Sequence, residues 1–136
     1  MIVLDASLLI AWLMTEELPS ANTGIYETIP TNILLVPSHW PIEISNALQS
    51  QMRAGQLSVA DFQSIMGRFD QLTVDVQPPL DLDEIMPLAH FALTHGLTTY
   101  DASYVQLALG CNVPLATLDR ATRAAAAKLN IPLLPA

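Results

Sequence analysis

The sequence predicts an α/β protein, a three-layer α/β/α sandwich around a short central parallel sheet. Short aliphatic segments alternate with longer segments of helical periodicity along its 136 residues. Alternation of this kind indicates a parallel sheet that is covered by helices on both faces. The length suits one domain of common size, so we expect residues 1–136 to form a single domain, large enough to bury a core without the help of disulfides or a structural metal.

Five segments are predicted as strands, because each is short, aliphatic and followed by a turn or a helix signal. They are Ile2 to Asp5, Ile33 to Val36, Thr73 to Val76, Pro114 to Thr117 and, with a weaker pattern, Pro132 to Leu134.

Helices are predicted between these strands. The apolar segment from Ser7 to Met14 indicates a buried helix, since it is far shorter than the roughly 20 residues that a bilayer span requires. Aspartate and serine cap helix N-termini well, and glycine often ends a helix. The other predicted helices run from Trp40 to Ala54 before Gly55, from Ser58 to about Phe69, from Asp81 or Asp83 to about Thr94 before Gly96, from Asp101 to Leu109, and from Asp119 to Leu129.

The composition limits the possible functions. Apolar residues make up 51% of the chain and charged residues 13%, which excludes the disordered class. The net charge of −8 argues against broad phosphate binding by a basic surface, so any nucleic-acid function must work locally. Arg120, Arg123 and Lys128 form a small positive stripe, although a solvated helix face explains them equally well. Cys111 is the sole cysteine and no secretory signal is visible, so we expect a cytoplasmic protein.

Four acidic residues are candidates for one site at the carboxyl edge of the predicted sheet. Asp5 ends the first strand, Glu43 lies one turn into the helix after the second, Asp101 opens the helix before the fourth strand, and Asp119 follows that strand. Taken singly, Asp101 and Asp119 also suit helix caps, and Glu43 suits a first-turn acid. Asp5 has no such alternative, because a buried carboxylate must be hydrogen-bonded or paired. Four converging acids favour a divalent ion, and an all-oxygen ligand set favours Mg²⁺ or Mn²⁺ over zinc.

Four stretches containing these acids occur in order along nearly the whole chain. They are "MIVLDASLLIAWLMTEE", "PSHWPIEISNALQSQMRAGQLS", "GLTTYDASYVQLA" and "PLATLDRA". In this order and spacing they resemble the PIN-domain ribonucleases and, among these, the VapC toxins of toxin–antitoxin pairs. The resemblance implies metal-binding acids at Asp5, Glu43, Asp101 and Asp119. It also implies supporting hydroxyl groups at Ser7 and Thr117, and a polar position beside the site at Asn46, where a simple helix-surface amide remains an alternative.

The chemistry that this resemblance implies is hydrolysis of an RNA phosphodiester with one or two Mg²⁺ ions, for which Mn²⁺ is a possible substitute. Arg120 and Arg123 are then the best candidates for steering the RNA. The resemblance further implies a cognate antitoxin, and we expect a homodimer. Because the helix that carries Leu9 and Trp12 is apolar nearly all round, it must be buried or covered by a partner, which would be the antitoxin.

The histidines and three other protein classes are the alternatives to this interpretation. His90 and His95 are spaced unfavourably for a shared metal, and His39 is expected to cap or pack. A metal-dependent phosphatase of the haloacid dehalogenase type usually has a second aspartate where Ser7 stands. A response-regulator receiver domain needs a lysine near its last strand, and the only lysine is Lys128. A PIN-fold binding module without activity is the third alternative.

Overall fold

The central sheet contains the five predicted strands. The computed structural model describes residues 1–14 and 23–136 of the chain. Within them the strands are β1 (Ile2–Leu4), β2 (Ile33–Val36), β3 (Thr73–Val76), β4 (Leu115–Ala116) and β5 (Leu133–Leu134). All pairings are parallel, and the order across the sheet is β3-β2-β1-β4-β5.

Helices flank this sheet and complete the three-layer α/β/α sandwich that the sequence predicts. In the described part of the chain they are α1 (Ala6–Met14), α2 (Thr23–Thr28), α3 (Trp40–Arg53), α4 (Val59–Phe69), α5 (Ile85–His95), α6 (Thr99–Cys111) and α7 (Arg120–Lys128). Two 3₁₀ turns, Ile29–Thr31 and Leu82–Glu84, precede β2 and α5. None of the helices in the described residues has the length and apolarity needed to cross a membrane.

Helix α6 begins earlier than predicted. Its N-cap is Thr98, whose hydroxyl oxygen accepts a hydrogen bond from the backbone N–H of Asp101 at 3.1 Å. Asp101 therefore occupies the third position of α6, and the prediction that it opens the helix is wrong. Asp119 does cap α7, since its carboxylate accepts from the backbone N–H of Thr122 at 2.8 Å.

Helix α5 begins later than predicted, after a short 3₁₀ turn. Asp81 forms a capping box with Glu84, but the cap belongs to the 3₁₀ turn, and the α-helix itself begins at Ile85. Its end is as predicted, because Gly96 takes the left-handed backbone conformation with φ of 67°, which glycine adopts without strain.

Helix α1 is packed inside the protein. Leu9 is fully buried and Trp12 is 5% exposed. From α4, Arg68 donates to the backbone carbonyls of Trp12 and Leu13, and its guanidinium carbon lies 5.1 Å from the centre of the Trp12 ring. The apolar character of α1 is thus explained by burial within the chain. Of the two explanations that the sequence left open for this helix, burial is the one that the structure shows, and Leu9 and Trp12 belong to the core.

The order of the strands determines where a site forms. The chain passes from β1 outward through β2 and β3, and then returns to the other side of β1 with β4 and β5. The direction of winding therefore reverses between β1 and β4, and in an open parallel sheet the crevice at the carboxyl ends of such a strand pair is where ligands bind. Asp5 follows β1 directly and Asp119 lies three residues beyond β4.

Candidate active site

Asp5 is a buried carboxylate that is held by neutral donors. Its Oδ1 accepts from the Ser7 hydroxyl at 2.9 Å and from the backbone N–H of Leu8 at 2.8 Å. Its Oδ2 accepts from the hydroxyl of Thr117, at the end of the neighbouring strand β4. Ser7 and Thr117, the two residues predicted to support the acids, thus both donate to Asp5. These hydrogen bonds offset the desolvation of the carboxylate without neutralising its charge.

Thr117 connects Asp5 to Asp119. While its hydroxyl donates to Asp5, the same oxygen accepts from the backbone N–H of Asp119 at 3.1 Å. The bond from the Thr122 backbone N–H holds the pKa of Asp119 below its ordinary value. Asp119 consequently keeps a negative charge beside the buried Asp5.

Asp101 is brought to the same edge by the first turn of α6. Partial burial raises the pKa of its carboxyl group, and the negative charges of Asp119 and Asp5 raise it further. The hydrogen bond with Thr98 and the nearby His39 act in the opposite direction. Asp101 therefore lies within electrostatic reach of both other aspartates.

Glu43 reaches the site from the first turn of α3. Its Oε1 accepts from the phenolic hydroxyl of Tyr104 at 2.8 Å and lies 2.8 Å from Nε2 of His39. Burial, the bond to Glu43 and the charges of Glu43 and Asp5 all raise the pKa of Tyr104, so the phenol stays protonated as a donor. The charges of Glu43 and Asp5 both act on Tyr104, which places Glu43 near the aspartates of the site.

The four acids share an edge of the sheet without forming a closed coordination cluster. Within residues 1–14 and 23–136, no three His, Cys, Asp or Glu side chains are arranged so that they would hold one metal ion. Each of Asp5, Glu43 and Asp119 instead faces a hydrogen-bond donor of the protein. Carboxylates that repel one another turn toward local donors, which accounts for this arrangement.

The remaining predicted residues differ in exposure and in contacts. Asn46 is an exposed residue on α3, and Arg120 is exposed at the start of α7. Arg123 is partly buried, and its guanidinium donates to the carbonyl of Thr117 at 2.9 Å and to that of Pro135 at 2.8 Å. Arg123 therefore joins α7 to the end of β4 and to the segment after β5.

Residues 2–128 match the model of the PIN domain family. The chain belongs to the PIN domain family. It is also similar to a solved protein described as "Crystal structure of PAE2754 from Pyrobaculum aerophilum", with 26% sequence identity and a TM-score of 0.69. That match covers 98% of this chain and 83% of the other. No curated protein matches the sequence.

PIN domains are generally metal-dependent nucleases, and PIN nucleases act on RNA. Membership therefore supports a hydrolase activity and a ribonuclease-like role in general terms. It also accounts for an acidic crevice in a protein whose net charge is −8.

Two residues of this PIN domain site were not predicted from the sequence. His39 occupies the N-cap position of α3 but makes no side-chain cap bond, and its ring contacts Glu43 instead. The spacing of four residues between His39 and Glu43 is a local signal for that contact. Tyr104 is 61 positions from Glu43, so the sequence holds no local signal for their contact. The one available signal for a site role is that Tyr104 lies three residues after Asp101, on the same helix face.

Proposed function

We propose that this PIN domain is a Mg²⁺-dependent endoribonuclease, with Mn²⁺ as a possible substitute, and that it acts as a toxin neutralised by a cognate antitoxin. One observation carries the nuclease proposal. Among the described residues, only neutral donors hold the buried carboxylate of Asp5. It lies near Asp119 and near Asp101, whose pKa is raised by partial burial and further by the negative charges of Asp119 and Asp5. Such a concentration of negative charge is stabilised best by a divalent cation.

The donor set fits a hard cation, since the four residues offer only carboxylate oxygens. Asp5, Asp101, Asp119 and Glu43 are the residues that would hold it, and each would have to turn from its present partner toward the ion. When bound, Mg²⁺ supplies an activated water and stabilises charge on the phosphate. Ser7 and Thr117 keep Asp5 in place, and Tyr104 keeps Glu43 in place. None of the proposed site residues needs to act as a nucleophile.

The toxin role, the antitoxin and a cytoplasmic location are supported by the resemblance to VapC toxins. An antitoxin must contact residues other than Leu9 and Trp12, which are buried. A homodimer is supported by exposed apolar side chains in and before α5, because Leu82 is 87%, Met86 73% and Leu93 80% exposed. Arg120 remains the better candidate for steering RNA, since the guanidinium of Arg123 already serves two carbonyls.

A cleavage assay tests the nuclease proposal. End-labelled RNA is incubated with the purified protein in Mg²⁺, Mn²⁺ or EDTA, next to Asp5→Asn and Asp119→Asn variants. We expect cleavage only with a divalent ion, and a loss of orders of magnitude in both variants. Asp75→Asn is the matched control, because Asp75 is an exposed carboxylate on β3 and should retain full activity.

The alternatives give different results in the same assay. Hydrolysis of p-nitrophenyl phosphate without RNA cleavage would support a phosphatase and contradict the proposal. RNA binding without cleavage in any ion, by a correctly folded protein, would support a PIN-fold binding module. Full cleavage by Asp5→Asn would show that the acidic crevice is not the site of reaction.

A further inference from the structure

We propose that Thr122 is a positioning residue for Asp119, and that its hydroxyl holds the Asp119 carboxylate in place when a divalent cation is bound. This inference rests on the proposed nuclease function and adds a residue to the proposed site. Thr122 is the third residue of α7 and lies one turn after Asp119. It belongs to the buried face of that helix, together with Ala125 and Ala126.

The hydroxyl of Thr122 is buried without a partner. Thr122 is 2% exposed, and its hydroxyl oxygen forms no hydrogen bond within the part of the chain that the structure describes. A buried hydroxyl group without a partner costs stability, so protein interiors rarely keep one. Valine has the same branched shape and would fill this position without that cost. The hydroxyl therefore indicates a role that the metal-free protein does not use.

The ordinary local roles of a helix hydroxyl do not explain Thr122. A threonine hydroxyl in a helix commonly donates to the carbonyl three or four residues earlier, but that of Thr122 bonds to neither Asp119 nor Leu118. A side chain at the third helical position can also accept from the backbone N–H of the N-cap residue. Here that N–H belongs to Asp119 and already donates to the hydroxyl of Thr117 at 3.1 Å.

The carboxylate of Asp119 is the neighbour that remains. Its Oδ2 accepts from the backbone N–H of Thr122 at 2.8 Å. This bond is the largest cause of the lowered pKa of Asp119, and the side chain of Thr122 is the second. The hydroxyl and the carboxylate are thus close, although they do not have the geometry of a hydrogen bond. Rotation of the carboxylate about its side-chain bonds can complete that bond.

Binding of a cation requires such a rotation. A carboxylate that turns toward a cation leaves the backbone N–H that it caps, and it then needs another donor to keep one orientation. An ionised carboxylate has two oxygen atoms, so one can face the cation while the other accepts from a hydroxyl. Asp5 has hydroxyl support of this kind from Ser7 and Thr117. Thr122 gives the same support to Asp119.

Calorimetric titration with Mn²⁺ alone tests the proposal, next to thermal melts of the metal-free protein. Thr122→Val removes the hydroxyl and keeps the branched shape, so the metal-free variant should melt at the wild-type temperature or above it. Its dissociation constant for Mn²⁺ should rise by about 10–100-fold, the usual effect of losing a hydrogen-bond partner of a metal ligand. Thr122→Ser keeps the hydroxyl but loses a buried methyl group, so it should melt lower and still bind Mn²⁺ as wild type does.

Thr94→Val is the matched control. Thr94 is an exposed residue of α5, and its hydroxyl donates to the carbonyl of His90 at 2.8 Å. The same chemical change is thus made in another helix, at a hydroxyl that already has a partner. The Mn²⁺ affinity of this variant should equal that of wild type.

Three results would overturn the inference. They are an unchanged Mn²⁺ affinity in Thr122→Val, an equal loss of affinity in Thr122→Ser, and a metal-free Thr122→Val that melts well below wild type. The last result would mean that the hydroxyl has a partner without the cation. Wild-type protein that binds no Mn²⁺ would reject the metal-dependent nuclease together with this inference. Mn²⁺ binding that depends on the Thr122 hydroxyl, without RNA cleavage in the separate assay, would reject the nuclease proposal alone.

Discussion

Asp101 is the residue at which a structural role and a functional role separate most clearly. The cap of α6 is Thr98, so the carboxylate of Asp101 is not needed to begin the helix. Its raised pKa reports partial burial together with the neighbouring charges of Asp119 and Asp5. A side chain that is electrostatically unfavourable where it stands, and that its helix does not require, supports the proposal that Asp101 binds a cation.

Replacing Asp101 by Asn should stabilise the metal-free protein or leave its stability unchanged. A carboxyl whose folded pKa is raised above the ordinary 3.8 costs stability when it ionises, and the cost is full only above the folded value. The advantage of Asp101→Asn should therefore be present at neutral pH and shrink as the pH falls toward 3.8. Urea unfolding midpoints across this range measure it. A variant that is less stable than wild type at neutral pH would contradict the prediction.

The caps of α6 and α4 allow a comparison at the level of the element. Thr98 caps the helix that carries Asp101, whereas Ser58 caps α4 by a capping box with Asp61. In both caps a backbone N–H donates to the hydroxyl oxygen of the capping residue. Only one of them positions a residue of the candidate site.

We predict that Thr98→Ala costs about 0.5–2 kcal/mol of stability, the usual loss for a missing cap, and that it also lowers RNA cleavage. Ser58→Ala should lower stability as well but leave cleavage unchanged when both are assayed below their melting temperatures. Thermal melts and cleavage rates of the two variants decide the matter. Equal cleavage by both would mean that the start of α6 does not determine the position of Asp101.

Helix α7 carries two arginines with different surroundings. Arg123→Gln should destabilise the protein by about 1–3 kcal/mol, because the variant loses two bonds from a charged donor to the carbonyls of Thr117 and Pro135. Arg120→Gln should change stability by no more than about 0.5 kcal/mol, since Arg120 is exposed.

The variant that hardly changes stability should be the one that weakens RNA binding. If Arg120 contacts one phosphate of a single strand, Arg120→Gln reduces the slope of log affinity against log salt by about 0.7. Arg123→Gln should leave that slope unchanged. Filter binding over a salt series measures both. An identical slope in wild type and Arg120→Gln would assign Arg120 to a merely solvated helix face.

The whole molecule carries a net charge of −8, and part of that charge is concentrated in one crevice. Mg²⁺ or Mn²⁺ should therefore raise the melting temperature more than KCl of matched ionic strength does. If the unfolded chain does not bind the ion, an ion concentration of about one hundred times the dissociation constant raises the free energy of unfolding by about 2.7 kcal/mol. Differential scanning fluorimetry measures the shift, and the Asp101→Asn variant should lose most of it. Equal stabilisation by KCl would indicate general screening only.

Much of this fold was predictable because its signals are local. The five strands are short aliphatic segments beside turn signals. Asp5, Glu43 and Asp119 follow strands in the sequence, so the edge of the sheet near which they lie was predictable. Helix ends were less so: Thr98 and Asp101 both suit a cap, and only the backbone geometry selects Thr98. Contacts over long separations were not predictable, including the bond of Tyr104 to Glu43 across 61 positions. The bond from Arg68 to the backbone of Trp12 joins residues 56 positions apart and was not predictable from periodicity either, although the burial of the helix was.

The bond between Thr117 and Asp5 joins two residues that lie 112 positions apart along the polypeptide. A ribosome that adds roughly 5–20 residues per second needs on the order of ten seconds to pass from one to the other. During that time the emerging chain has β1 and Asp5 but lacks β4, Thr117 and Asp119. A nascent chain therefore has no complete acidic crevice. Under the proposed ribonuclease function, the message and ribosome that produce this protein are exposed to the finished site only after Thr117 and Asp119 have been added.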